Sequence, residues 1–332
     1  TNVIQTVMDS GLFVLRDCAS PISEFLKEEY PSEKHGQFLF TSKTNLPKNN
    51  KNTLIYKNYN NLSEDIKSFS NNLPKISAVT GIPRSGIIPA TMLALYRNIQ
   101  YIPYESLVVG QNNSKRIGRE INYNDGPILV LDDSSWTANS IQHAKLELWR
   151  SNIENLVFGA VYVNGLVTKH LDYWYEVHLY PHIFEWNIIR TELVKRSLLD
   201  MDGVICQNWR VPDESDINKY EQEAMKCIPL YIPKYEVYKI VTARLEKYRT
   251  VTEAWLKKFG VKYQELIMSP YDSAESRLVN NGFGEWKAKK YSEDTHSQIF
   301  IESERHQASC IYNTTNKPVF CVDTMEMFSD KR

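Results

Sequence analysis

The run Ile128-Leu129-Val130-Leu131 has no polar position. It is followed at once by Asp132-Asp133 and a small polar stretch, Ser134-Ser135-Trp136-Thr137-Ala138-Asn139-Ser140. Four consecutive apolar residues without alternation describe a strand covered on both faces, and such strands belong to parallel sheets flanked by helices. The carboxylates then stand at the strand's C-terminal end, where open α/β sheets bind their ligands. The pattern recurs on either side. Residues 76–80 form a short apolar run closed by Gly81. Residues 87–97 carry Ile88, Met92, Leu93 and Leu95 at helical spacing, 141–149 read as a helix and 156–163 as a strand. After Arg190 the pattern restarts. Leu198-Leu199 leads into Asp200, residues 237–241 form a strand ending at Thr242, and 252–259 form a helix with Gly260 as its stop. Residues 264–268, 298–301 and 318–322 are further strands. The expected fold class is therefore α/β in two domains, 1–190 and 191–332, each a mainly parallel sheet flanked by helices. No Pro/Gly-rich linker separates them, so close packing is expected.

Composition narrows the functions open to such a chain. Of 332 residues, 42% are apolar and 24% charged, as in a water-soluble protein with a sizeable core. The net charge of −1 sets up no field that would draw nucleic acid or an anionic membrane, so nucleic acid is not an expected partner. Cys18, Cys206, Cys227, Cys310 and Cys321 are scattered without a C-x-x-C pair. That spacing speaks for reduced thiols in a cytoplasm and against a disulfide framework or a zinc site. No apolar run reaches the roughly 18 residues of a membrane span, and no charged-then-apolar leader opens the chain. The chain starts at Thr1 instead of Met, as a piece of a longer protein would. Residues 41–75, with Lys48-Asn49-Asn50-Lys51-Asn52, read as a polar surface segment.

Two constellations carry chemistry. In the first, Thr80-Gly81-Ile82-Pro83-Arg84-Ser85-Gly86 joins a strand to a helix N-terminus, a place where backbone N–H groups and the helix dipole favour an anion. Gly81 and Gly86 permit unusual backbone angles and close approach, and the Arg84 guanidinium offers a fork of donors to phosphate oxygens. Asp132-Asp133, about 45 residues further on, suit ribose hydroxyls or a hydrated Mg²⁺. Thr137-Ala138-Asn139-Ser140 opens a helix and can cradle a terminal phosphate. In the second constellation, Asp200 follows a strand and Asp202 lies two residues on, before Gly203. A carboxylate at a strand end can attack phosphorus, and a second one nearby can protonate the leaving alkoxide and later activate water. Thr242, Ala243, Lys287 and Glu302 supply a hydroxyl, a backbone donor, a cation and a further acid from later elements, with Glu304 an alternative to Glu302.

The first constellation resembles the type I phosphoribosyltransferases over roughly residues 55–190. The resemblance implies a pyrophosphate loop at Gly81–Gly86 and a phosphoribosyl pyrophosphate (PRPP) motif at Asp132–Ser140. It also implies that Asp132 and Asp133 hold the ribose hydroxyls and that Mg²⁺ bridges pyrophosphate and ribose. A closing loop at 110–122 would bring Lys115, Arg116 and Arg119 to the leaving group. Ala138 and Asn139 stand where the family has glycine, and Trp136 stands where purine-salvage members carry Asp or Thr. Residues 174–186, rich in aromatics with His178 and His182, resemble the family's acceptor-contacting hood. The two histidines lack further metal ligands, so a structural role is expected. The second constellation resembles the haloacid dehalogenase-like phosphatases over roughly 196–325. That implies a Rossmann-like fold, Asp200 as nucleophile and Asp202 as acid/base. It further implies Thr242, Ala243 and Lys287 around the phosphoryl group, and Mg²⁺ at Asp200, Asp202 and Glu302. About 40 residues separate Asp200 from Thr242, room for only a small cap.

A transferase that installs a 5-phosphoribosyl group, followed by a phosphatase that trims it, makes sense when an unphosphorylated ribofuranosyl group is wanted. The expected activity is transfer from PRPP to a sugar hydroxyl of a bacterial glycan, with lipid-linked glycans among the acceptors, giving a β-ribofuranoside. Asp133 is the candidate general base, and 5-phosphate hydrolysis follows. A cytoplasmic protein is expected, reaching the inner membrane and other glycan-assembly enzymes through its acceptor. Alternatives are a nucleobase phosphoribosyltransferase joined to a nucleotide 5′-phosphatase, and a regulatory PRPP-binding protein with a vestigial phosphatase.

Overall fold

The apolar runs become the centres of two parallel sheets. The computed structural model describes residues 54–110, 126–178, 181–209, 216–273, 275–276 and 282–329, all within one unit of the chain, 48–332. The expected loop residues Lys115, Arg116 and Arg119 lie outside the described residues. In chain order the first half comprises β1 (Ile55–Lys57), α1 (Tyr59–Asn72), β2 (Ala78–Gly81), α2 (Ile87–Arg97), β3 (Gln100–Tyr101), α3 (Tyr104–Val108), β4 (Ile128–Ser135), α4 (Asn139–Arg150), β5 (Leu156–Val163), β6 (Tyr173–Val177) and β7 (His182–Phe184). The second half comprises β8 (Ser197–Leu199), α5 (Ile217–Lys226), β9 (Val237–Leu245), α6 (Arg249–Lys258), β10 (Tyr263–Ser269), α7 (Gly282–Glu293), β11 (Ile299–Glu302), α8 (Arg305–Thr315), β12 (Val319–Cys321) and β13 (Glu326–Phe328).

One sheet has the order β3-β2-β4-β5-β6 and is parallel throughout. Its centre, β4, is buried from Ile128 to Asp133. The chain leaves β2 through α2 towards β3 on one side. It leaves β4 through α4 towards β5 on the other side. The C-terminal ends of β2 and β4 therefore flank a topological switch point, the place where a crevice opens in sheets of this kind. The second sheet has the order β10-β9-β8-β11-β12-β13, parallel except for the β12–β13 pair. Here too the connections diverge from neighbouring strands, β8 and β11.

The strands run further than the apolar runs. β4 continues to Ser135, so the Asp132-Asp133 pair lies inside the strand and not beyond it as a helix cap. β9 continues past Thr242 to Leu245 and buries Arg244. Gly260 follows α6 with φ +69°, the left-handed turn a helix stop favours. The segment between Asp200 and Thr242 contains α5 as its one helix among the described residues.

A short parallel pair, β1 with β7, stands apart from both sheets. It is anchored to the first sheet by Lys57, whose Nζ lies 2.7 Å from both Asp65 Oδ2 and Glu176 Oε2. Ile183, Ile188 and Ile189 pack in one apolar cluster with Leu199, Met201, Val204, Ile205 and Trp255 of the second half. Each fully buried Leu or Ile in such a cluster adds about 1.5–3 kcal/mol. The residues after β7 are therefore held by the second half's core while they reach towards the end of β4. Among the described residues no helix is long and apolar enough to cross a membrane.

Candidate active sites

At the first switch point, Gly81 and Gly86 are required by proximity and not by angle. A β-carbon on Gly81 would sit 2.4 Å from the Gly86 carbonyl oxygen. One on Gly86 would sit 2.6 Å from the oxygen of Ile82 and 2.7 Å from that of Leu131. Gly86 has φ −62°, so the expected need for unusual angles gives way to close backbone approach. The Pro83–Arg84 peptide is cis. Pro83 and Arg84 are exposed and Ser85 half-buried, at the entry to α2. Arg84 Nη2 donates to Asn187 Oδ1 at 3.0 Å, which ties this turn to the segment after β7.

Across the crevice, Asp132 and Asp133 are both buried. The Asp132 Oδ1 atom accepts the Asp133 N–H at 2.9 Å. Burial, reinforced by the neighbouring Asp133 charge, raises the Asp132 carboxyl well above the usual carboxylate range. Asp133 Oδ2 accepts the indole N–H of Trp186 at 2.6 Å and the Ser134 hydroxyl at 3.4 Å. Beyond β4, Ala138 precedes α4 with φ +60° and ψ +5°. The left-handed residue is thus Ala138 itself, and Asn139 already belongs to the helix. Thr137, Asn139 and Ser140 are exposed at this N-terminus, whose first N–H groups have no side-chain cap. They suit an anion.

The aromatics expected to form a hood make a row. Tyr162 stacks on Phe184 (5.1 Å, 19°), Phe184 on Trp186 (5.1 Å, 6°), and Tyr59 lies beside Trp186 at 5.6 Å. Trp136 packs on His182 at 3.8 Å. Burial, with His178 adding to it, pushes His182 down to about 3, so its imidazole is neutral. His178 Nε2 lies 3.2 Å from Glu176 Oε2. Both histidines serve the packing of this row, and among the described residues they form no metal cluster.

The second site is built where β8 and β11 end. Asp200 is buried immediately after β8, and its Oδ1 accepts the Met201 N–H at 2.8 Å. Lys287, on α7 and 1% exposed, places Nζ 2.8 Å from Asp200 Oδ2 and 2.8 Å from Glu302 Oε2, and donates to Gln307 Oε1 at 3.1 Å. Burial disfavours the ammonium, yet the two carboxylates outweigh it and raise the Lys287 pKa. Asp200 is raised well above the carboxylate range by burial and by Glu302, with Lys287 opposing. Glu302 Oε1 accepts the Ser303 N–H at 3.0 Å. Glu304 instead precedes α8 and accepts from Gln307 Nε2, so Glu302 is the acid that shares Lys287 with Asp200. Thr242 is fully buried on β9 and its Oγ1 accepts the Arg244 N–H at 3.2 Å. Ala243, half-buried, lies between them.

Asp202 departs from expectation. Its Oδ1 accepts from Arg244 Nη2 at 2.6 Å and from Trp209 Nε1 at 2.9 Å, and its Oδ2 accepts from Arg244 Nε at 3.0 Å. Burial opposes ionisation, but Arg244 outweighs it and holds this carboxyl below the usual range. Among the described residues no three acidic, His or Cys side chains form a metal cluster. The Asp202 side chain is engaged by Arg244. Two carboxylates, Asp200 and Glu302, remain together, an all-oxygen donor pair that fits Mg²⁺, which is commonly held by one or two carboxylates plus substrate oxygens. Arg244, Gln307 and Asn187 were not singled out from sequence; Trp186 was read as a hood aromatic and not as a partner of Asp133. The signal for Arg244 was an arginine followed by apolar Leu245 in a strand, which needs a buried partner charge.

No protein-family model matches the chain, and no curated protein matches it. Among solved structures it is similar to the purine phosphoribosyltransferase of Pyrococcus horikoshii, at 17% identity and TM-score 0.31, over 40% of this chain and 93% of that one. It is likewise similar to the Helicobacter pylori xanthine-guanine-hypoxanthine phosphoribosyltransferase, at 15% identity and TM-score 0.31, over 40% and 93%. A chain of a Pnkp1/Rnl/Hen1 complex matches at 14% identity and TM-score 0.27, over 81% of this chain and 95% of that one.

Proposed function

We propose that the chain is a two-site enzyme that transfers 5-phosphoribosyl from PRPP to an acceptor and then hydrolyses the 5-phosphate. The observation that carries the reading is that each of two parallel sheets ends, at its own switch point, in its own buried acid cluster: Asp132 with Asp133, and Asp200 with Glu302 around Lys287.

In the first site the N–H groups of the Gly81–Gly86 turn and the Arg84 guanidinium receive the pyrophosphate. Asp132 and Asp133 accept the ribose hydroxyls, and the N-terminus of α4 with Thr137 and Ser140 receives the 5-phosphate. Asp133, kept in place by Trp186, is the base for an acceptor hydroxyl. In the second site Asp200 attacks phosphorus, Thr242 and Lys287 hold phosphoryl oxygens, and Asp202 handles the proton. Mg²⁺ held by Asp200 and Glu302 would offset the phosphate charge that a carboxylate nucleophile must approach.

A phosphatase joined to a transferase fits a sugar hydroxyl of a bacterial glycan as acceptor, with a ribofuranoside as final product. A nucleobase acceptor is the second reading, favoured by the flat row Tyr162-Phe184-Trp186 that ends at Asp133. One mass-spectrometric assay decides between them. PRPP and Mg²⁺ are offered with sugar acceptors and with nucleobases, to the wild type and to Asp200→Asn. The proposal expects a glycan product, heavier by one phosphate in the variant. Dephosphorylated product from Asp200→Asn would sink the second step, and nucleoside in place of glycoside would select the second reading.

A further inference from the structure

Arg244 carries a buried donor that nothing in the fold uses. The residue is 3% exposed. Its Nε and Nη2 grip Asp202, Nη2 also approaches Cys206 Sγ at 3.4 Å, and the Trp209 ring covers the guanidinium at 5.1 Å. The remaining nitrogen, Nη1, is buried and has no hydrogen-bond partner among the described residues. An unsatisfied guanidinium nitrogen in a closed site is costly and points to an absent acceptor. Nη1 and Nη2 together form the end of the planar fork that matches two oxygens of a phosphoryl group.

Position leads to the same ligand. Arg244 stands on the same strand as Thr242, two residues further on, and its charge suits a phosphate monoester dianion.

We propose that Arg244 is a phosphoryl-binding catalytic residue: on substrate binding it turns its Nη1/Nη2 fork from Asp202 to two phosphoryl oxygens. The proposal rests on the reading of Asp200 as a nucleophile. Asp200 then attacks phosphorus and the bond to the ester oxygen breaks. Asp202 gives that oxygen its proton, and the alcohol leaves. Water attacks the aspartyl-phosphate, its proton returns to Asp202, and inorganic phosphate departs. The first proton comes from solvent, and each turnover restores it.

The test uses the full chain with Mg²⁺, two esters and one inhibitor: p-nitrophenyl phosphate, ribose 5-phosphate and inorganic phosphate. Arg244→Gln alone leaves Asp202 buried without its counter-charge, so the wild type is compared with Asp202→Asn plus Arg244→Gln, in which no charge is stranded. If Arg244 holds the phosphoryl group, the double variant binds inorganic phosphate roughly ten- to hundredfold more weakly in calorimetry. If Arg244 merely orients Asp202, phosphate affinity is unchanged or higher and the proposal is overturned. Absence of turnover of either ester by the wild type, with no phosphate binding, would remove the nucleophile reading and this proposal with it. Turnover retained by Asp200→Asn would remove the nucleophile reading and the steps built on it, while the phosphate affinities still decide whether Arg244 holds a phosphoryl group.

Discussion

The indole nitrogen of Trp186 donates a 2.6 Å hydrogen bond to Oδ2 of Asp133. The tryptophan follows β7, whose Ile183 is embedded in the core of the second half, while the aspartate belongs to the central strand of the first sheet. The carboxylate expected to meet the acceptor is therefore oriented by a residue that the other half of the molecule holds in place.

Trp186→Phe keeps the stack on Phe184 and removes only the donor. A hydrogen bond to a charged, buried acceptor contributes about 1.5–3 kcal/mol. PRPP consumption should fall roughly ten- to hundredfold, measured as kcat/KM, while the melting temperature moves only slightly. Unchanged kinetics would mean that Asp133 does not depend on this contact.

Asp132→Asn should stabilise the fold at neutral pH and abolish PRPP turnover. The folded state raises the Asp132 pKa above its ordinary value of 3.8. Such a group favours folding below 3.8 and loses that contribution as pH climbs through the elevated folded value. Asparagine carries no such liability. The variant's advantage in thermal melting should therefore be absent near pH 3.8 and grow as pH rises. A constant difference across pH would show that Asp132 is not strained by ionisation.

Lys287→Met should destabilise the second half by about 3–5 kcal/mol, because Asp200 and Glu302 are left together in the interior without their cation. Adding Glu302→Gln should recover a substantial part of that loss. Denaturant titration of both variants checks this, and equal stability would mean that Lys287 does not offset the carboxylates.

Gly86→Ala places a methyl group 2.6 Å from the Ile82 oxygen, a contact that only backbone movement can relieve. A cost of about 1–3 kcal/mol is expected, together with loss of PRPP binding in calorimetry. Ala138→Gly acts in the opposite sense. At φ +60° a β-carbon is strained, so glycine should gain about 0.5–1 kcal/mol with PRPP affinity retained.

Much of the architecture was legible in advance because burial leaves a one-dimensional trace. An unbroken apolar run such as 128–131, short and closed by Asp132-Asp133, reads as a strand with both faces covered, and its position put Asp132-Asp133 near the end of that strand. The expected strand 156–163 matches β5. Strand ends were less legible. Thr242 was expected to end its strand, yet β9 continues to Leu245, since Asp202 neutralises Arg244 within the interior. Of the two roles read for Gly81 and Gly86, unusual angles and close approach, the structure requires close approach, whose partners depend on which carbonyls the fold brings near.

By itself the sequence determined the α/β alternation, the two acid-bearing strand ends and the order of the two sites, because periodicity and local turn chemistry are properties of neighbouring residues. Only the tertiary structure decided which charges meet. Asp200 and Glu302 share Lys287 from α7, Asp202 pairs with Arg244, and Trp186 reaches back to Asp133. The Asp202–Arg244 and Asp133–Trp186 pairings join residues 42 and 53 positions apart, and a buried charge selects its partner by distance in space, which sequence spacing does not encode.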